Sequence, residues 1–129
     1  MKKLTLILLA VMMLTACGQD KENDQEAVYV NITAEEAKRI MDTEDGYIIL
    51  DVRTQEEYDQ GHIPGAIVIS HEEIEEKAEQ VLTDKEQLIL VYCRSGRRSK
   101  IAADALVKLG YTNVKEFGGI ITWKYEITK

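Results

Sequence analysis

The chain has 129 residues, of which 45% are hydrophobic and 30% charged, and its formal net charge is −7 at pH 7. This length leaves room for one domain. An acidic chain is repelled by nucleic acid and weakly by anionic lipid, so the charge argues against nucleic acid as a partner.

The first part of the chain is typical of a secretory signal. Two lysines precede an apolar run at residues 4–14, which only Thr5 interrupts. That run is too short to span a bilayer comfortably as a permanent helix. We therefore expect it to be removed rather than to remain in the mature protein.

The residues "LTAC" at 14–17 resemble the lipobox of bacterial lipoproteins, in which the signal is cut before the cysteine. The resemblance implies that residues 1–16 are removed and that Cys17 carries a diacylglyceryl thioether. The lipid would then hold the protein at the extracytoplasmic face of the cell membrane of a bacterium. The alternative is an ordinary signal peptide with an incidental cysteine.

A polar segment separates this signal from the rest of the chain. Residues 18–27, "GQDKENDQEA", are largely charged or polar and show no periodicity, which predicts a flexible tether. Lipidated cysteine and tether thus make up residues 17–27, and the folded domain occupies residues 28–129. If Cys17 is acylated, Cys93 is the only thiol left and no internal disulfide can form.

Apolar runs and capping boxes alternate through the first half of the domain. Residues 28–32 are β-prone, and "TAEE" at 33–36 has the form of a capping box, in which threonine and glutamate each bond the backbone near the other. The run "YIILDV" at 47–52 predicts a strand buried on both faces. A second box at 54–57 begins a short helix that ends near Gly61.

The second half of the domain continues this alternation. A turn at 62–65 contains a proline that excludes helix, and the strand "AIVI" at 66–69 follows it. A third capping box, "SHEE" at 70–73, begins a helix. The next strand, at 88–92, is the most apolar of the chain. The apolar stripe expected for the helix between them consists of Ile74, Ala78, Val81 and Leu82.

The last helix is predicted to begin near Ser99, so that residues 93–98 form a tight loop, and to stop at Gly110. A final strand at 114–117 and a Gly-Gly turn at 118–119 follow. The residues of the last helix that we expect to face the core are Ile101, Ala102, Ala105, Leu106 and Leu109.

Strands that alternate with helices predict an α/β fold, with a central parallel sheet of about five strands and helices on both faces. In such folds ligands gather at the carboxyl ends of the strands, where Asp51, Arg53 and Cys93 all fall. The chain has only two histidines, and the domain has one thiol, so no zinc site is expected.

The stretch "VYCRSGRRSK" at 91–100 combines a thiol with three arginines. A short loop that leads into a helix can point several backbone N–H groups at one spot and so form a cradle for an anion. Both the cradle and the arginines favour Cys93 as the thiolate. Because salt screens the field of the acidic domain beyond about 8 Å, the local Arg94, Arg97 and Arg98 can still attract an anionic substrate.

Three segments together resemble the single-domain members of the rhodanese family of sulfurtransferases: "DVRTQEEYDQGHIPGAI" at 51–67, "CRSGRRS" at 93–99 and "LGYTNVKEFGGIITW" at 109–123. The resemblance implies a rhodanese-like fold and a nucleophilic Cys93. Its thiolate would take the sulfane sulfur of a small anionic donor such as thiosulfate, and a thiol or cyanide would then remove that sulfur.

The resemblance also implies a role for the loop itself. It would hold the persulfide of Cys93, and no metal or organic cofactor would be needed. Independently of the resemblance, we expect a monomer, although the sequence does not fix the oligomeric state. Asp51 and Arg53 would order the loops through an ion pair, or would form only a structural bridge. The residues implied for the cradle are Arg94, Ser95, Gly96, Arg97, Arg98 and Ser99.

Other classes of protein remain open at this point. A rhodanese-like module without catalysis could relay a persulfide to one partner, or merely bind an anion or a protein. Phosphatases and arsenate reductases of related fold carry Cys-x5-Arg, whereas Arg98 here gives Cys-x4-Arg, a shorter cradle that favours a persulfide over a tetrahedral oxyanion. Structural roles are expected for the remaining conspicuous residues, namely His62, Tyr58, Trp123 and an exposed His71.

Overall fold

Five parallel strands form one sheet in the part of the chain that the computed structural model describes, residues 28–129. Predictions for residues 1–27, including the lipid on Cys17 and the tether, lie outside the described residues. Every neighbouring pair in the sheet is parallel, and the order across it is β1-β5-β4-β2-β3. The strands are β1 (Val30–Asn31), β2 (Ile48–Asp51), β3 (Ile67–Val68), β4 (Ile89–Cys93) and β5 (Val114–Gly119).

Helices cover both faces of this sheet. Buried residues of α3 and α4 share one core with the sheet, and buried residues of α1 share the core on the other side. The predicted α/β fold is thereby confirmed. Within residues 28–129, no helix has the length and apolarity that a membrane crossing requires. The helices are α1 (Ala34–Thr43), α2 (Gln55–Gln60), α3 (Ile74–Val81) and α4 (Arg97–Lys108), with 3-10 turns at His71–Glu73 and Ile120–Thr122.

The central strand β4 is buried along its whole length, as its continuous apolar sequence predicts. Successive side chains of a strand point to opposite faces. Leu90 and Tyr92 therefore pack in the core beside α1, whereas Val91 and Cys93 pack in the core beside α3 and α4. Cys93 is thus the last residue of β4 and lies on the α4 side of the sheet.

The three predicted capping boxes have different outcomes. Thr54 and Glu57 form a complete box at the start of α2. Thr33 caps α1 by accepting from the backbone of Glu36 at 3.1 Å, but no reciprocal bond from the Glu36 side chain is present among the described residues. Ser70 makes no side-chain cap bond within the described range 28–129, so the third box is wrong.

The third box fails because the backbone there is bonded elsewhere. The N–H of His71 donates to the carbonyl of Val52 at 3.0 Å, which ties this segment to the end of β2. The chain then makes a 3-10 turn before α3 begins at Ile74. His71 is half-buried rather than exposed as expected.

The predicted core faces of α3 and α4 are partly wrong. Val81 is 51% exposed and Ile101 is 46% exposed, although both were expected in the core. Helix α4 begins at Arg97, two residues before the predicted start, and its buried residues are Ser99, Ala102, Ala103 and Leu106. The core face of α4 therefore includes Ser99, three residues before Ala102, and leaves Ile101 at the surface.

The chain boundaries at the end of the domain also differ from prediction. The two glycines at 118–119 complete β5 rather than forming a turn. Gly110 follows the end of α4 with φ at 98°, a left-handed conformation that glycine adopts at helix ends. The predicted stop at Gly110 is confirmed.

Candidate active site

Cys93 lies at the carboxyl end of β4, and only three residues, 94–96, connect it to α4. The predicted loop of 93–98 is therefore too long, because Cys93 still belongs to the strand and Arg97 already belongs to the helix. Gly96 is the N-cap of α4 and has φ at 106°, a conformation that other residues rarely adopt. This conformation directs the Gly96 N–H to Cys93 Sγ, at 2.9 Å.

The last residue of β5 closes the site from the side. Gly119 pairs with Cys93 across the sheet, where the β4–β5 register shifts. A Cβ on Gly119 would overlap the carbonyl of Arg94. That carbonyl also accepts a hydrogen bond from the N–H of Ile121 at 3.2 Å. The loop after Cys93 is thus held at one position by the backbone of the segment that follows β5.

The sulfur of Cys93 is buried among polar groups. The residue is 1% exposed, and Sγ lies 3.3 Å from the hydroxyl of Ser99 as well as 2.9 Å from the Gly96 N–H. Ser99, in the first turn of α4, is itself fully buried. The sulfur is therefore contacted by one backbone donor and one hydroxyl at the start of a helix.

The three arginines of this segment do not act as one cluster. Arg94 is exposed and lines an open cleft, and Arg97 is exposed in the first turn of α4. Arg98 instead makes two hydrogen bonds to the carboxylate of Glu57, at 2.7 and 2.9 Å. Its hydrogen bond holds the pKa of Glu57 at about 2, well below the ordinary value.

The open cleft has a volume of about 610 Å³ and lies beside the loop after Cys93. Its lining combines charged and apolar residues, and of the apolar ones Ile121 is 64% and Ile127 is 53% exposed. The lining residues are Arg53, Glu57, Gln60, Gly61, Arg94, Ile120, Ile121 and Ile127.

The ion pair expected between Asp51 and Arg53 is present and buried. Arg53 Nη2 lies 2.7 Å from Asp51 Oδ2 and also donates to the Gly61 carbonyl at 2.7 Å. Burial opposes the charge on Arg53, but the hydrogen bond and charge of Asp51 outweigh it and raise the pKa of the guanidinium. This pair ties the end of β2 to the chain after α2.

Tyr92 extends that network to β4. Its hydroxyl donates to Asp51 Oδ2 at 2.8 Å and accepts from the N–H of Ile63 at 3.1 Å. Burial and the neighbouring carboxylate of Asp51 raise the pKa of the Tyr92 hydroxyl. Tyr92 thus fixes the turn after α2 on one face of β4 while Cys93 lies on the other.

The residues expected to be structural contact the core or each other. The rings of Tyr58 and His62 stack with centroids 3.7 Å apart, and His62 Nδ1 bonds the carbonyl of Tyr58 at 2.9 Å. Tyr58 and Trp123 pack against the core beside α1. These packing predictions are confirmed.

Glu116 is a residue of this site that the sequence motifs do not indicate. It lies in β5, is fully buried, and accepts the Ser99 hydroxyl at 2.6 Å and the Gly118 N–H at 2.8 Å through Oε1. Its other oxygen, Oε2, accepts from the side chain of Asn31. The available signal was its position two residues after the buried Val114, which places a charged residue on the inward face of a strand.

Comparison with known proteins identifies the family. The family model of the rhodanese-like domain matches residues 33–126 of this chain. Thiosulfate sulfurtransferase PspE of Escherichia coli is 41% identical over 71 residues, which cover 55% of this chain and 68% of that protein. Thiosulfate sulfurtransferase GlpE of Coxiella burnetii is 37% identical over 98 residues, which cover 75% and 89%.

A solved structure agrees with this result. The rhodanese with anions from E. coli superposes with a TM-score of 0.60 at 36% identity, covering 64% of this chain and 98% of that one. The chain belongs to the family of rhodanese-like domains, as the three sequence motifs predict. It is a sulfurtransferase of the rhodanese type, with a cysteine at the end of its central strand.

Proposed function

We propose that the protein moves sulfane sulfur through a persulfide on Cys93, from a small anionic donor of the thiosulfate type to a thiol or cyanide. The observation that carries this proposal is the setting of Cys93 Sγ, 2.9 Å from the Gly96 N–H at the N-terminus of α4. A helix N-terminus stabilises negative charge, and the thiolate is the nucleophilic form of cysteine.

The first half-reaction conserves charge without a cofactor. The thiolate of Cys93 forms a bond to the outer sulfur of thiosulfate, the S–S bond of thiosulfate breaks, and sulfite leaves with the electron pair. The product is a persulfide anion on Cys93. The charge of this anion is on its outer sulfur, which the backbone N–H groups of residues 94–98 would surround, while the N–H of Gly96 already points to Sγ, the sulfur that carries it.

The second half-reaction returns the enzyme to its starting state. A thiolate or cyanide attacks the outer sulfur, and the electron pair of the broken S–S bond stays on Cys93. Two half-reactions on one covalent enzyme give ping-pong kinetics. We assign attraction of the donor to Arg94, since it lines the cleft beside the loop, whereas Arg98 is paired with Glu57.

Asp51 and Arg53 support this site in the proposal. Their buried ion pair and the bond from Tyr92 connect the ends of β2 and β4. Ser95, Arg97 and Ser99 complete the segment that would surround the persulfide, with Ser99 on its buried side.

The proposal is tested by intact mass. The purified full chain is incubated with thiosulfate, alongside Cys93→Ser. We expect a gain of one sulfur (about 32 Da) that cyanide removes and that Cys93→Ser does not show. A folded parent protein that never gains mass would overturn thiosulfate-dependent loading and favour a module that relays sulfur only from a specific partner.

We also propose that the protein is anchored by lipid on Cys17, with the domain of residues 28–129 on the extracytoplasmic side of a bacterial membrane. The support is the sequence alone: two lysines, a short apolar run, and small residues immediately before the cysteine. The donors and acceptors available to Cys93 would then be those present outside the cytoplasm.

A further inference from the structure

A buried carboxyl group, that of Glu116, is connected to the reactive sulfur of Cys93 through a single side chain, Ser99. Glu116 is fully buried, and within residues 28–129 it forms no salt bridge with a lysine, arginine or histidine. The three hydrogen-bond donors to its carboxylate are all uncharged: Ser99, Gly118 and Asn31. Because no cation partners this buried carboxylate, these three hydrogen bonds are what satisfies it.

The hydroxyl of Ser99 joins this acid to the sulfur. Ser99 Oγ lies 2.6 Å from Glu116 Oε1, 3.0 Å from the Gly96 carbonyl, 3.3 Å from Cys93 Sγ and 3.4 Å from the Gly118 carbonyl. A hydroxyl has one proton to donate. Of these four partners in the described part of the chain, the carboxylate is the nearest and the only charged acceptor, and bonds to charged acceptors are the stronger ones.

The direction of the Cys93–Ser99 hydrogen bond follows from that of the Ser99–Glu116 hydrogen bond. If Ser99 donates its proton to Glu116, its oxygen faces Cys93 as an acceptor. The thiol of Cys93 then donates to Ser99, and the three groups form one continuous chain from Sγ through Oγ to Oε1.

We propose that Glu116 is a positioning residue for Cys93 that acts through Ser99 and receives the thiol proton when the thiolate forms. The inference deepens the proposed function, because it concerns the same sulfur. In this step the S–H bond of Cys93 breaks and its proton passes to Ser99 Oγ, while the former hydroxyl proton of Ser99 passes to Glu116 Oε1. Nothing is oxidised or reduced, and the carboxylic acid formed can return its proton once the persulfide has been discharged.

The charged surroundings are consistent with this role. Among the described residues, β1 presents Asn31 and α4 presents Ser99 to the carboxylate of Glu116, and Cys93 of β4 is connected to it through Ser99. Arg98 interacts electrostatically with Cys93 and with Asp51, and its guanidinium is already paired with Glu57. The described contacts thus offer Glu116 as the proton acceptor connected to Sγ.

The test measures how alkylation of Cys93 by iodoacetamide depends on pH. All variants carry Cys17→Ser, which leaves Cys93 as the only thiol. While Cys93 and Glu116 share one proton, the thiolate fraction is set by that sharing rather than by bulk pH. We therefore expect the parent rate to show a plateau in pH.

Removing the acid should remove the plateau. In Glu116→Gln, which keeps the size of the side chain and an acceptor oxygen, the rate should rise about tenfold per pH unit until the thiol is fully ionised. Glu86→Gln, the same change at an exposed position, should keep the plateau. A merely structural role of Glu116 would change the rate without changing the shape of the profile.

A second variant tests the connection through Ser99. Ser99→Ala should also lose the plateau, and adding Glu116→Gln to it should change nothing further. A plateau retained in folded Glu116→Gln would overturn the inference. So would a double variant in which the change in alkylation rate is the sum of the changes in the two single variants. If Glu116→Gln does not fold, Ser99→Ala decides alone, since a retained plateau there would also overturn it.

This test is independent of the sulfur donor. Alkylation needs no thiosulfate, so a failure of sulfur loading would overturn the proposed function without changing the pH profile. A flat profile in every variant, with normal sulfur loading, would overturn the role of Glu116 and leave the proposed function intact.

Discussion

Gly119 is the residue at which the end of β5 comes closest to the loop after Cys93. Its φ of −131° is one that any residue adopts, so only the space beside it requires glycine. An added Cβ would overlap the carbonyl of Arg94, which is backbone and cannot rotate away. Any side chain at this position must therefore displace the loop that leads from Cys93 to α4.

We predict that Gly119→Ala reduces stability by roughly 1–3 kcal/mol or more and prevents sulfur loading of Cys93, because the loop must move. Gly46→Ala is the control, since Gly46 has φ at 75° and an added Cβ there would meet no atom of residues 28–129 within 4 Å. It should lose stability through backbone strain alone, by about 1 kcal/mol, and load sulfur normally. Urea unfolding and intact mass measure both effects. Normal loading in Gly119→Ala would show that the loop position is not needed.

Single residues also show where prediction from sequence fails. The motif predicts Cys93 and the loop after it, because both are local in the chain. Glu116 is 17 residues from Ser99, and their hydrogen bond exists only because β5 lies beside β4 and α4. The sequence shows a glutamate in a strand, but it does not show which residues would donate hydrogen bonds to its carboxylate.

Two helices that are distant in sequence are joined by one ion pair at the site. Arg98 of α4 and Glu57 of α2 are 41 residues apart and form a two-bond contact, with side chains 22% and 27% exposed. Glu57 also completes the capping box of α2 through Thr54. The carboxylate of Glu57 therefore caps the N-terminus of α2 and also holds α2 against the start of α4.

This pair should make stability depend on pH in acid. The pKa of Glu57 is about 2 in the folded protein, mainly because of the hydrogen bond from Arg98, against an ordinary 4.5. A lowered pKa stabilises the fold above pH 4.5, and that contribution is lost as the pH falls towards 2. We predict that the parent loses about 1 kcal/mol more than Glu57→Gln between pH 5 and pH 2.

Urea unfolding at a series of pH values measures this difference. Asp104→Asn is the matched control, because Asp104 forms an exposed pair with Lys108 within α4. It should follow the parent closely. Equal losses in the parent and Glu57→Gln would show that the Arg98 contact contributes nothing to the acid stability of the fold.

The elements themselves were largely predictable from period and capping. Strand β4 reads as a run of apolar residues because both of its faces are covered, and Thr54 with Glu57 gives a complete box. Ser70 has the same pattern of residues, yet its segment is held by the bond from His71 to Val52. A long-range backbone bond therefore overrides a local signal that is otherwise sound.

At the scale of the whole molecule, the proposed anchor predicts where the protein is found in a bacterial cell. The parent should fractionate with membranes and incorporate a labelled fatty acid, because acyl chains on Cys17 would partition into the bilayer. Cys17→Ser should do neither, whereas Cys93→Ser should do both. Equal labelling of Cys17→Ser would contradict the anchor. Gel-based detection of the label together with fractionation measures each outcome.

The fold as a whole was easier to predict than its details. Alternation of strands and helices is enough to define an α/β sheet with helices on both faces, and the three motifs define the family. The exposure of Val81 and Ile101 was not predictable in this way, since the rotation of each helix is decided by its packing partner. The same holds for the separation of Arg98 from Arg94 by its bond to Glu57.

Because all five strands run in one direction, the amino ends of the strands lie on one side of the sheet and their carboxyl ends on the opposite side. Val30 pairs with Lys115 near the start of β5, and Cys93 pairs with Gly119 at its finish, so the two levels are about 13 Å apart at 3.3 Å per residue. The chain therefore enters the domain at the amino ends of the strands, away from the sulfur of Cys93. If the protein is anchored at Cys17 as proposed, its tether would therefore join the domain at the opposite end of the strands from Cys93 and would not lie across the sulfur.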